Sequence, residues 1–497
     1  MRQFLILLLL AATCGFSQPA AVQVASYFFQ NNFNAQRGAA EPITPVDPTS
    51  TSRFITDTVF GQSRTVYEIR EAPTPKLNQG GLTFTAGNRI TRDTYTVEMV
   101  FSIQSASGWR RIFDCNVRRS SEGLYIDPSG FLNYFSGASS TGNDRIAVGT
   151  YYHVVIVKRP REMYLYLNGA LVASATNVVI GEINSEYNPN NILNFLLDDS
   201  ESIEWTPARI ALFRVYSGNL TAAQVREIWA SPFTSTVGQP APGFQSSGIV
   251  NSASYASANA ISPGGFFSIF GTDLADTTGD WGQSFTNNTA PRRLNNVRVL
   301  INNQESFVVF TSLGQVNALA PDNLPDGPVT VVVENGNLRS TTVQSTSRSV
   351  NPAVFRFNAQ NNRFLASTAN DGSAYIAPAN LFGTGGALNG LAVRPARPGE
   401  FIVLYATGLG PTTPAVPAGQ IPPTRTGGYP LTNTSEIRLT LNGQTTTVRP
   451  VYAGLSAFPG LIQVVFQVPE VANGEYETVI LVGGQSSPSA AFLPIAR

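Results

Sequence analysis

From end to end this chain is cut into short runs rich in Val, Ile, Phe, Tyr and Thr by Gly, Pro, Asn and Asp. Runs of that length and composition form strands, and the punctuating residues supply turns, so the expected fold class is all-β. In "YTVEMVFSI" (95–103), alternation puts Val97, Met99, Phe101 and Ile103 on one face and Thr96, Glu98 and Ser102 on the other, with Val100 as the exception. "HVVIVKR" and "MYLYLNGALVASA" read as neighbouring strands, and Asn168-Gly169 provides the positive φ angles of a tight hairpin turn. One helix stands out: Thr221 and Gln224 form a capping box, and Val225, Ile228 and Trp229 make an apolar stripe that closes the first domain against a sheet.

The second half repeats itself. "SPGGFFSIFGTDLA" (262–275) matches "RPGEFIVLYATGLG" (397–410), "VRVLINNQ" (297–304) matches "IRLTLNGQ" (437–444), and "GQVNALAP" (314–321) matches "LIQVVFQVP" (461–469). A closing "DGPVTVVVENG" (326–336) matches "NGEYETVILVGG" (473–484) in the same order. Each copy therefore begins with a Pro-Gly turn feeding a strand, and two β-sandwiches are expected in tandem, at 249–346 and 347–497. With a first domain at 22–232 and a linker at 233–248, where apolar periodicity lapses, the 497 residues make about three domains.

The first 17 residues, "MRQFLILLLLAATCGFS", carry one cation, an apolar run from Phe4 to Ala12 and then small residues, the pattern of a secretory signal peptide cleaved after Ser17. A secreted or cell-surface protein is expected, with lipid anchoring through Cys14 as the alternative. Cleavage leaves Cys115 alone, so no internal disulfide is expected. The chain's 32 basic and 32 acidic residues balance, and no basic field is available to attract nucleic acid.

Two resemblances follow from these motifs. The last 250 residues or so resemble the Solibacter-type uncharacterised C-terminal domain, through "PGE...YATGLG", "QVN...P" and the terminal "G...V.L..GG" hairpin, and their strand pattern is similar to immunoglobulin-like IPT/TIG modules. The first domain resembles the laminin G-like, concanavalin A-type jelly roll in "YTVEMVFSI", "GWRRIFD", "GLYIDPSGFLNYF", "YYHVVIVKR", "LYLNGALVAS", "FLLDDS" and "ARIALFRVYSGNLTAAQV". That resemblance implies binding of a glycan or an extracellular protein, in some members through calcium, and less often polysaccharide hydrolysis.

The expected function is a lectin-like recognition head on an immunoglobulin-like stalk, a binding or adhesion role with no cofactor beyond possible calcium. Candidate ligand-stacking residues are Trp109, Tyr134, Tyr187 and Trp205, which fall near expected turns, with Trp281 the tryptophan expected to be most exposed in the second half. Candidate metal ligands are Asp114, Asp198 and Asp199, which offer hard oxygens if the fold unites them. Asp127 and Asp144 are weaker, and Asp127 begins an Asp-Pro-Ser-Gly turn. The hydrolase alternative rests on "EINSE": it needs Glu182 and Glu186 on one strand face, about 5–5.5 Å apart for a retaining mechanism. Asn184 stands between them where the resembled glucanases keep an aspartate, and "YNPNN" just after suggests a loop. His153 is the single histidine and reads as a packed strand residue; Cys115 reads as a small buried one. No Cys/His cluster suits zinc. A purely structural surface protein is the third reading.

Overall fold

The strand Tyr95–Ile103 runs through the middle of an antiparallel sheet whose order is 170–176, 162–167, 152–159, 95–103, 208–217, 62–69, 53–59, with 22–27 also joined to 208–217. A computed structural model of the chain describes residues 21–35, 42–70, 79–135, 138–139, 144–177, 179–199, 204–256, 260–357, 363–383 and 386–497. The expected signal sequence, with Ser17 and Cys14, lies outside the described residues. No helix among the described residues is long and apolar enough to cross a membrane.

The chain divides into two units, Met1–Pro240 and Ala241–Arg497. In the first, a second sheet ordered 138–139, 132–134, 124–126, 110–114, 192–195, 81–85, 44–46 faces the one above, giving a jelly-roll sandwich. Val97, Met99, Phe101 and Ile103 point between the sheets as alternation requires, meeting Leu82, Phe84, Ile112, Leu124, Ile126, Leu193 and Phe195. Phe213 joins the layers most directly, with its ring centroid 4.1 Å from Phe195 and 5.9 Å from both Phe84 and Tyr27. Fully burying one such ring contributes about 1.5–3 kcal/mol.

The other face of the strand is covered too. The helix Ala222–Ala230, opened by the Thr221–Gln224 capping box, buries Val225 and Ile228 against Val155, Val157, Tyr166 and Tyr216. Val100, the exception to the alternation, packs with Val59, Val66, Tyr151, Ala211 and Leu212. The hairpin 162–167/170–176 turns at Asn168 (φ 47°) and Gly169 (φ 78°), the left-handed pair that a type I′ turn needs.

The expected linker is corrected. Residues 233–240 are tied to the first unit, with Val237 in the cluster beneath the helix, Arg64 3.6 Å from the centre of the Phe233 ring, and the Gly238 carbonyl accepting from the Gln23 amide. Residues 243–248 already belong to the strand Gly243–Asn251. Apolar periodicity lapses here because single anchors and a bulged edge strand do the packing.

The second unit holds two sandwiches with one strand plan. In the first, 266–272 lies beside 315–319, which lies beside 307–311; facing them, 297–301 pairs with 327–335, which pairs with 343–347. In the second, 401–407, 462–467 and 452–455 repeat the first series, and 435–441, 474–482 and 492–495 the other. Gly264 (φ 63°) and Gly399 (φ 85°) take the left-handed conformation at the two Pro-Gly turns, which is why glycine recurs there. The second copy is larger, because 353–354, 367–369, 374–376, 387–388 and 391–394 extend one sheet to nine strands.

Candidate functional site

The seven-stranded sheet of the first unit has an inner face given over to the core and an outer face that carries polar and aromatic groups. Leu82, Phe84, Leu193, Phe195, Leu124 and Ile126 point inward, so Thr83, Asn194, Arg111 and Tyr125 point outward by alternation. The Thr83 hydroxyl donates to Asn194 Oδ1 (3.0 Å), and Asn194 Nδ2 donates to Asp114 Oδ2 (2.9 Å). The side chains thus form a continuous polar ladder across three strands.

At the centre of that face Asp114 and Asp198 do come together, but around a guanidinium. Arg111, Asp114 and Asp198 are all fully buried, with Arg111 Nη2 at 3.0 Å from Asp114 Oδ1 and Nη1 at 3.6 Å from Asp198 Oδ1. Arg111 Nη2 also reaches the carbonyls of Ser120 and Glu122. Arg118 closes the other side, donating to the Asp198 carbonyl and to Gln79 Oε1, while the Arg118 and Asn116 amides donate to Asp114. Two carboxylates and two guanidiniums balance in charge, and the Asp114 oxygens face protein donors. The expected calcium ligands Asp114 and Asp198 thus face guanidiniums, and among the described residues no group of three or more His, Cys, Asp or Glu residues is disposed for a metal. Chelation should therefore leave the thermal stability of the first unit unchanged, and a fall of several degrees in EDTA, restored by calcium, would reinstate the metal.

The aromatic candidates separate cleanly. Tyr134 and Trp205 are corrected, because both lie in the core between the sheets, at 0% and 1% exposure, and cannot reach a ligand outside. Tyr134 sits on the inward register of its strand, with Cys115 Sγ 3.7 Å from its hydroxyl. Burial, with Asp114 and Glu122 near by, pushes the Cys115 thiol up to about 12. Trp281 is half-buried against Phe266 and Phe285. Trp109 and Tyr187 remain accessible. Tyr187 is 44% exposed, with the Arg119 guanidinium 5.7 Å from its ring centre. Trp109 is half-buried and meets Tyr125 edge-on at 5.9 Å, and Phe135, 42% exposed, meets the other side of Tyr125 at 6.4 Å.

Tyr125 and Phe135 were missed by turn-proximity reasoning, although the outward register of Tyr125 in "GLYIDPSG" was available as a signal. The Tyr125 ring is buried, yet its hydroxyl finds no protein partner among the described residues. Burial raises its pKa, so it stays a protonated phenol with an unspent donor.

"EINSE" is a turn. Asn184 Oδ1 accepts from the Glu186 amide (2.9 Å) and the Asn184 carbonyl accepts from the Asn188 amide (2.8 Å), so this residue serves a turn rather than a strand face. Glu182 is held by Arg92 (2.8 Å), with Lys158 at 3.8 Å, and Glu186 is exposed. Beside Glu182 stands a carboxylate that the sequence did not single out, Glu122, which accepts from the Gly181 amide and Asn116 Nδ2 and whose pKa burial raises.

On the far side of the eight-stranded sheet, His153 is packed and hydrogen-bonded. Its Nε2 lies 3.1 Å from Glu98 Oε1, Arg214 Nη1 is 3.1 Å from the same oxygen, and the Tyr216 hydroxyl donates to Glu98 Oε2 (2.7 Å). All four are closed to solvent. Asp127 caps its own turn by accepting from the amides of Ser129 and Phe131.

Against this geometry, residues 77–226 match the family described as the Concanavalin A-like lectin/glucanases superfamily. No curated protein matches. Among solved structures, the chain is similar to domain 4 of an extracellular arabinanase from Geobacillus stearothermophilus in complex with arabinotriose, at 15% identity over 42% of this chain and 98% of that one (TM-score 0.34). It is similar to a sialidase of Trypanosoma rangeli in complex with 2,3-difluorosialic acid, at 15% identity over 41% of this chain and 37% of that one (TM-score 0.26). A SAP-like pentraxin from Limulus polyphemus is similar at 20% identity over 33% of this chain and 80% of that one (TM-score 0.26).

Proposed function

We propose that the first unit, whose family match spans a lectin/glucanase-type domain, is the carbohydrate-binding head of a secreted or cell-surface binding protein. One observation carries the reading: the aromatic edge Trp109–Tyr125–Phe135, in which the accessible rings of Trp109 and Phe135 both pack against the buried ring of Tyr125. Sugar rings present C–H faces that stack on aromatics, and Trp109 and Phe135 offer such faces here. Tyr187 and Arg119 extend the accessible surface on the same unit. The hydrolase reading is weaker, since Glu182 is held in a turn by Arg92 and Glu186 faces solvent. The tandem sandwiches would serve as spacer or docking stalk, in keeping with their resemblance to immunoglobulin-like modules.

The full chain should bind a glycan in an array, without turnover, and calorimetry should then show Trp109→Ala and Phe135→Ala each weakening that glycan roughly tenfold or more. Tyr125→Phe, at a ring closed to solvent, should leave that affinity within about twofold. Affinities untouched by both ring deletions would remove the edge from consideration, and turnover lost in Glu182→Gln would restore the hydrolase.

A further inference from the structure

The strand "GQVN" of the first sandwich lines a cavity of roughly 450 Å³ in the second unit, to which the second sandwich contributes Phe355 and Arg356. We propose that this cavity is a separate binding site for a neutral oligosaccharide. Its two amide side chains come from alternation on the strand Gln315–Leu319: Val316 points into the core, so Gln315 and Asn317 point out into the cavity, whose polar lining also includes Ser252, Ser254 and Arg356. Gln315 Nε2 donates to Asn317 Oδ1 at 2.8 Å. That bond fixes both amides and leaves Gln315 Oε1 as an acceptor and Asn317 Nδ2 as a donor, neither with a protein partner among the described residues. One acceptor beside one donor matches a pair of neighbouring sugar hydroxyls.

Aromatic rings supply the rest. Phe270 lies opposite Gln315 in the sheet and is 39% exposed, because the edge strand 243–251 bulges there: its register jumps from Phe244 to Ile249, leaving residues 245–248 unpaired. Tyr255 stands 6.1 Å from Phe270 at 51°, and Phe266 and Phe355 line the cavity further in. Tyr255 is held at φ 54°, a left-handed conformation that a bulky residue adopts only at a cost, of the kind found where function fixes a side chain. Among the described residues no carboxylate lines the cavity, and the Arg356 guanidinium donates to the carbonyls of Ser489 and Ala490, so the lining favours an uncharged ligand.

The tandem copy serves as an internal control. In the second sandwich the same strand keeps Gln463 but carries Val465 where the first has Asn317, and Val465 is buried beside Tyr452. The strand plan is therefore compatible with valine at that place, and Asn317 is not demanded by the fold.

The test uses the full chain carrying Trp109→Ala and Phe135→Ala, which silences the edge on the first unit, with saturation-transfer NMR against arabinotriose, cellotriose, xylotriose and maltotriose. At least one should give signal in that background and lose about tenfold in affinity on Phe270→Ala and on Asn317→Val, the latter with little change in thermal stability. Tyr255→Ala, at an exposed position, should behave likewise. Absence of signal for all four sugars, or signal indifferent to all three changes, would overturn the proposal. A proline-rich decapeptide that binds in place of the sugars and is lost on the same changes would overturn it in favour of peptide recognition. Failure of the edge on the first unit shows instead as sugar binding unaffected by Trp109→Ala, so the two readings fail separately.

Discussion

Replacing Arg111 by alanine is expected to destabilise the first unit by about 3–5 kcal/mol, the cost of leaving buried charge without its partner. In a domain of this size that lowers the calorimetric midpoint by roughly 10 °C. The magnitude follows from burial: Arg111 and both carboxylates beside it are fully inaccessible, and the three acceptors of the guanidinium, Asp114 and the carbonyls of Ser120 and Glu122, would be left in a dry site. Arg111→Lys should recover only part of the loss, because an ammonium cannot span Asp114 and Asp198 as a planar fork does. Arg111→Met combined with Asp114→Asn and Asp198→Asn should recover more than Arg111→Met alone, since the charges vanish together. A single alanine variant that melts within about 2 °C of the parent would mean that the cluster is wet and that its carboxylates are free for a ligand after all.

How much of this was legible beforehand depended on whether a residue's role was local. Alternation in "YTVEMVFSI", the Asn168-Gly169 turn, the Thr221 cap and the paired Pro-Gly turns are written in neighbouring residues, and each stands in the structure as read. The candidate site was less legible, because its members meet through tertiary contact. Asp114, Asp198 and Asp199 were grouped only on the condition that the fold unites them, and the cation beside Asp114 and Asp198, Arg111, lies only three residues from Asp114 with its direction set by strand register. Nearness to turns suggested Trp205 and Tyr134 as ligand-stacking residues; both lie instead in the core between the sheets. Tyr125 is the complementary case: its outward register in a short strand could be read from alternation, but nearness to turns does not pick it out.

Glu98→Gln is expected to cost the same unit about 3–5 kcal/mol near neutral pH, again because a buried guanidinium, that of Arg214, loses its counter-charge. The sign of its pH dependence distinguishes this network from a merely well-packed one. Burial alone would raise the Glu98 carboxyl, but Arg214, with the hydrogen bonds from His153 and Tyr216, holds it below its ordinary value of 4.5. A carboxylate whose folded pKa is lowered stabilises the fold above its unfolded pKa, and that contribution disappears as pH falls through 4.5 toward the lowered value, where the unfolded chain binds more protons. Asp57 and Glu68 are lowered as well: burial opposes the shift, and hydrogen bonds from Tyr151 to Asp57 and from Arg70 and Arg209 to Glu68 overcome it. The parent should therefore lose stability steeply below about pH 4.5, and Glu98→Gln should remove one carboxylate's share of that slope, so that the two proteins differ less near pH 3 than near pH 7. Urea unfolding at the two pH values, followed by the tryptophan fluorescence of the chain, to which Trp229 beside His153 contributes at 5.7 Å between ring centres, makes the comparison. A gap between parent and variant that is equal at both pH values would show that Glu98 acts through packing, and the charge argument for this face of the sheet would fall.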